Sequence, residues 1–202
     1  MNIHLRMTKI IRDQERFIID DFAKEIADRK TQTAKPSTAV IDFRNEIHNN
    51  TERPVWVVPT GILRFRKDNG RIASDVLSYE KNSSPLSEME EEDQKILGRF
   101  LANKDPQKTE ELKNSLLRDG QREPAIITCD GFLINGNRRK LALEMLQVEA
   151  ANGANFRDMK VVILPGKGDQ GGPPTLKEIE QIENRYQLQS DGKAEYYNFD
   201  RA

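Results

Sequence analysis

From Gly120 to Leu146 the chain reads GQREPAIITCDGFLINGNRRKLALEML, and this run constrains the fold more than any other stretch. Apolar residues flank Asp130-Gly131, a pair that suits the positive φ of a tight two-residue turn, so the spacing predicts a β-hairpin. Asn135-Gly136-Asn137 then ends the second strand and opens a helix whose first residues include Arg138, Arg139 and Lys140. Orphan backbone N–H groups and three cations would meet at that helix start. An anion placed there is favoured by both.

The elements around this run follow from periodicity and turn chemistry. Ile11, Phe17, Ile18, Phe22, Ala23 and Ile26 recur at mostly helical spacing between Thr8 and Arg29, which predicts an amphipathic helix that packs as an arm or dimerises. Lys30 to Arg53 lacks periodicity and reads as a linker with at most a short helix. The core domain is expected from Pro54 to Ser190, with Val55 to Val58 a buried strand, Pro59-Thr60-Gly61 a turn, and Ile62 to Phe65 a second apolar run. Residues 73–104 read as an insertion. Within it, Glu88 to Asp93 is a solvated acidic face, and a helix begins near Ile96.

Asp105-Pro106 places a capping carboxylate before a proline at the first helical position. That predicts a helix ending at Gly120 with Leu112, Leu116 and Leu117 buried. The helix from Asn137 runs to about Ala151. Val161 to Leu164 has no alternation, as in a strand covered on both faces, and Pro165 to Pro174 is a flexible loop. Thr175 and Glu178 form a capping box for a helix to about Gln189. Asp191-Gly192 separates it from a C-terminal segment, 191–202, holding Tyr196, Tyr197 and Phe199. This order of elements predicts an α/β or α+β fold, a small mixed sheet with flanking helices.

Composition narrows the chemistry. The chain has 202 residues, 32% of them charged, and a formal net charge of -1, so nucleic-acid contact would have to come from a local patch. A single cysteine, Cys129, forms no internal disulfide, and no apolar run of about 18 residues appears, which reads as a cytoplasmic chain without a membrane span. His4 and His48 lie far from Cys129, which argues against zinc.

Three polar clusters fall at element edges: GQREP at Gly120 to Pro124, GNRR at Gly136 to Arg139, and ENRYQ at Glu183 to Gln187. In this order they resemble the N-terminal domain of ParB-type partition proteins, within the ParB/sulfiredoxin-like superfamily. There a GxxxP turn follows a helix, GxRR opens the next helix after a hairpin, and an ENxxR-like motif lies on a later helix. The resemblance covers roughly Val55 to Tyr197.

The resemblance implies a pocket for a nucleoside triphosphate, CTP in partition proteins, with Mg²⁺. It places Gln121 and Arg122 in the turn beside the triphosphate. Gly136, Asn137, Arg138 and Arg139 would hold phosphates, and Glu183 and Asn184 would sit at the metal and phosphates. Arg71 corresponds to an arginine after the family's first strands. The residue types suit such a pocket, because glycine admits a phosphate closely, guanidinium matches phosphate oxygens in bidentate fashion, and carboxylate and amide oxygens suit a hard divalent ion.

Asn137 stands where partition proteins commonly carry Glu. A neutral amide cannot serve as a base, so the chain binds nucleotide and hydrolyses it slowly, or relies on Glu183 as the catalytic carboxylate. The sulfiredoxin branch is disfavoured, because its reactive cysteine lies within the phosphate signature and Cys129 precedes the hairpin turn.

The expected role is a DNA-associated process such as partition or phage or plasmid maintenance, with a homodimer formed or altered by nucleotide. Partition proteins carry a helix-turn-helix after this domain, and nothing after Ser190 supplies one. DNA contact is then direct, through a partner, or through a further domain of a longer chain. Two alternatives stand beside this: a phosphotransferase or nuclease using Glu183, and an interaction protein with a vestigial pocket.

Overall fold

The computed structural model describes residues 13–44 and 52–199, with 188–199 described as backbone. Among these residues five strands form one mixed sheet in the order β1-β2-β5-β3-β4. The strands are β1 (Thr38–Val40), β2 (Glu52–Pro59), β3 (Ala125–Ile127), β4 (Leu133–Asn135) and β5 (Asp158–Ile163). All neighbours run antiparallel except β3 and β5, which are parallel with Ile126 opposite Val162. Among the described residues six helices flank it: α1 (Asp20–Arg29), α2 (Ala73–Asn82), α3 (Glu91–Lys104), α4 (Pro106–Asp119), α5 (Asn137–Glu149) and α6 (Leu176–Phe199). The fold is mixed α/β, as expected from the order of elements.

Period-2 geometry explains why β3 and residues 161–163 of β5 are apolar at every position. Ala125, Ile127, Leu133 and Val161 face one core with Leu97, Leu116, Leu143 and Leu146, whereas Ile126, Ile134 and Val162 face a second core under Ile179 and Ile182 of α6. A strand between two helical layers needs apolar residues on both faces. Burying such a side chain stabilises the fold by about 1.5–3 kcal/mol each.

Several local expectations changed. The helix expected over Thr8 to Arg29 occupies only Asp20–Arg29 among the described residues, and Phe17 is exposed. Residues 14–19 instead run extended against the start of α6: Arg16 N–H donates to Pro174 O at 3.0 Å and Leu176 N–H to Gln14 O at 3.1 Å. The stretch expected to be a linker supplies β1 and the buried Ile41 and Phe43, so residues 13–44 join the same two cores as the domain expected from Pro54. Ile62 to Phe65 form no regular strand. Thr60–Ile62 is a short 3₁₀ turn, after which Arg64 bridges Phe132.

Met89, Glu90, Glu91 and Glu92 are exposed, as expected of a solvated face, while the acids at either end of the run cap backbone. Glu88 accepts from Lys67 N–H at 2.6 Å and Asp93 from Ser87 N–H at 2.7 Å. Asp105 caps α4 as expected, accepting from Lys108 N–H at 3.2 Å. Leu117, however, is 55% exposed, because the helix turns it away from the face that buries Leu116. Asp191-Gly192 does not interrupt α6, which continues to Phe199, since an isolated helical glycine costs only about 1 kcal/mol.

The hairpin turn is longer than the two-residue form. Thr128 N–H pairs with Phe132 O at 2.9 Å across three residues, and Gly131 takes φ +83° at the end, the arrangement of a turn closed by a left-handed glycine.

Candidate functional site

β4, α5 and α6 meet at a cleft of about 230 Å³, with the 66–71 loop and α3 closing one side. Gly136 is the pivot. It has φ +96°, and a Cβ there would lie 2.6 Å from the Ala125 Cβ, so only glycine lets the chain turn from β4 into α5 over β3. Gly136 offers no side chain to cap the first turn of α5.

Arg71, Lys104, Arg138 and Arg139 line the cleft, against two carboxylates, Glu123 and Glu183. Arg138 is held from the side, its Nη2 donating to Asp105 Oδ2 at 3.3 Å at the cap of α4. Lys104 pairs with Asp75 at 2.8 Å. Arg139 is largely packed within the protein, and that burial pulls its pKa down while the Glu123 charge opposes the fall. Its Nη1 is buried without a hydrogen-bond partner. A buried guanidinium donor with nothing to donate to is costly unless an acceptor arrives.

Glu183 is 6% exposed. Burial pushes its carboxyl up to about 7, with Arg66 pulling down and Asp68 and Glu180 pushing up. Arg66, itself buried, places Nη1 3.4 Å from Glu183 Oε1, within ion-pair range, yet neither atom is in a hydrogen bond. Asn137 Oδ1 is likewise buried without a partner. Asn137 Oδ1 and Arg139 Nη1 therefore lack hydrogen-bond partners along the lining of one cleft, and Glu183 Oε1 faces Arg66 Nη1 without a hydrogen bond.

The structure brings Gly136, Asn137, Arg138, Arg139 and Glu183 together, with Arg71 beside them. It leaves three expected residues outside. Gln121 braces the sheet edge: its Oε1 accepts from Lys160 N–H at 2.6 Å and its Nε2 donates to Lys160 O at 2.8 Å. Arg122 is exposed, 3.3 Å from Asp119. Asn184 is exposed and absent from the lining, because adjacent helical residues point about 100° apart and Glu183 takes the inward direction.

Tyr186 and Gln187 line the cleft one turn beyond Glu183, a placement that helical spacing from Glu183 makes legible. Asn69 and Lys104 also line it, and no sequence signal marked either. Among the described residues no helix is long and apolar enough to cross a membrane. Comparison of the chain with models of protein families, with curated proteins and with solved structures finds no match.

Proposed function

We propose that this cleft binds a nucleoside triphosphate, as the ParB-like resemblance implies, and that binding changes conformation or dimerisation in a DNA-associated process. The observation that carries the reading is the start of α5. A helix start that opens on a left-handed glycine brings Arg138 and Arg139 to the cleft, and the buried Arg139 Nη1 has no hydrogen-bond partner there.

Glu183 and Asn137, which both line the cleft, would supply carboxylate and amide oxygens to a divalent cation such as Mg²⁺. Asn184 is exposed and does not line the cleft. No group of three His, Cys, Asp or Glu suited to a metal occurs among the described residues, so most of the ion's shell would come from phosphates and water. The ion would neutralise phosphate charge, while the protein's own residues orient the chain of phosphates.

Thermal-shift measurements with CTP, ATP, GTP and UTP, with and without Mg²⁺, test the proposal. Binding only to the native state raises the melting temperature by mass action, and no shift at millimolar concentration from any of the four refutes it. The identity of the base and the presence of a DNA partner are then open to direct titration.

A catalytic reading, phosphotransfer or nuclease action, draws on one further observation. Glu183 is buried, makes no hydrogen bond at Oε1, where Arg66 Nη1 stands 3.4 Å away, and has its carboxyl pushed up to about 7 by burial, near the value that suits a general base. Phosphate release, phosphoryl transfer to a hydroxylated acceptor, or nicking of plasmid DNA that vanishes in Glu183→Gln supports it.

A further inference from the structure

We infer that Arg16, far from the cleft in sequence, is a positioning residue for it: the extended strap of residues 14–19 ties together the two elements that form opposite walls. The functional half of this inference rests on the anion-binding reading above. One wall follows β4, whose three residues lead from the Asp130-Gly131 turn directly to Gly136. The other wall is α6, where Glu183 lies about two turns from the capping residue Thr175. The strap grips the far end of both.

At the turn, Asp130 is fully buried. Arg16 Nη1 donates to Asp130 Oδ1 and Oδ2 at 2.8 Å each, Ile19 N–H donates to Oδ2 at 3.0 Å, and Thr128 Oγ1 donates to Oδ1 at 2.6 Å. The same guanidinium sits 4.2 Å from the centre of the buried Phe132 ring. At the helix, the strap bridges Glu15 to Thr175 and exchanges backbone hydrogen bonds with Pro174 and Leu176. A buried carboxylate satisfied by a residue over one hundred positions away is a specific tie, because withdrawing the guanidinium leaves charge uncompensated in the interior. Nothing in the sequence of the strap touches the cleft, so its influence passes through the spacing of β4 and α6.

The experiment uses inorganic tripolyphosphate with Mg²⁺ as the probe, titrated calorimetrically into the wild type, Arg16→Ala and Val58→Ala. Val58 is buried in β2, does not line the cleft and makes no hydrogen bond to the strap, and supplies a destabilised control. The milder Arg16→Lys keeps the charge and replaces Arg16→Ala if the latter does not fold. The expected result is a loss of at least tenfold in affinity for the Arg16 variant and less than twofold for Val58→Ala.

Amide exchange gives a readout independent of any ligand: residues 133–139 and 176–183 should lose protection together in the Arg16 variant alone. Equal affinity in all three proteins overturns the inference. If the wild type binds no tripolyphosphate, the anion-binding reading fails, and the exchange pattern decides the strap by itself. Unchanged protection in those two segments then overturns it.

Discussion

Replacing Gly136 by Ala tests the geometry on which the cleft is built. A Cβ at this position stands 2.6 Å from the Ala125 Cβ and 3.1 Å from the Met159 Cε, where carbon atoms normally pack at about 3.5–4.0 Å. The backbone also sits at φ +96°, which costs a residue with a Cβ about 1–2 kcal/mol. Overpacking against a strand backbone adds about 1–3 kcal/mol, for a total near 2–5 kcal/mol. Against a typical stability of about 5–15 kcal/mol the variant still folds, so urea denaturation can measure the loss as a fall in midpoint at unchanged slope.

The two components separate in a double-mutant cycle. Ala125→Gly removes the closest atom met by the new Cβ, so Gly136→Ala should cost about 1–3 kcal/mol less in that background, the steric part alone. The conformational part should persist. A loss under about 0.5 kcal/mol for the single variant, or a coupling of zero in the cycle, would show that the β4–α5 turn is not held as described.

Glu183→Gln should flatten the dependence of stability on pH. The folded protein keeps the Glu183 proton up to about 7, whereas the ordinary carboxyl loses it near 4.5. Stability is thus fully present below 4.5 and falls by up to about 1.4 kcal/mol per unit as pH rises to about 7, and equal slopes in wild type and variant across that window would reject the assignment. Arg138→Ala and Arg139→Ala should each weaken nucleotide binding by about 10- to 100-fold, the worth of a charge-assisted hydrogen bond, and unchanged calorimetric affinities would move the site elsewhere. Burial, followed by the neighbouring Asp130 charge, pushes the Cys129 thiol up to about 11. Alkylation at pH 7.5 should therefore be slow and accelerate in urea, and native labelling as fast as that of the unfolded chain contradicts this.

The local signals are sound where a single residue fixes a backbone state. Asp105-Pro106 caps α4, Thr175 and Glu178 close the capping box with Thr175 N–H to Glu178 Oε2 at 2.8 Å, and Gly136 opens α5. The hydrophobic run at Val161 to Leu164 likewise announces a strand covered on both faces, because exposure of either face would have required polar residues there. In the site, residues on one short motif are legible together: Gly136 through Arg139 share a turn, and Glu183 lies on a helix face that can be drawn from sequence.

Tertiary structure alone decided the rest. Gln121 and Asn184 carry polar groups suited to a phosphate site, yet one is used by the Lys160 backbone and the other is rotated outward by a single helical step. Arg66 and Lys104 reach the site's surroundings from loops and helices that no motif connects to it, and Arg16 acts from a stretch that reads in sequence as a separate arm. Sequence determines which backbone turns and helix starts are cheap, since those depend on neighbours in the chain. Which charge meets which across the fold depends on packing between distant segments, and burial then decides whether a group is a brace, as at Asp130, or a donor without a hydrogen bond, as at Arg139 Nη1.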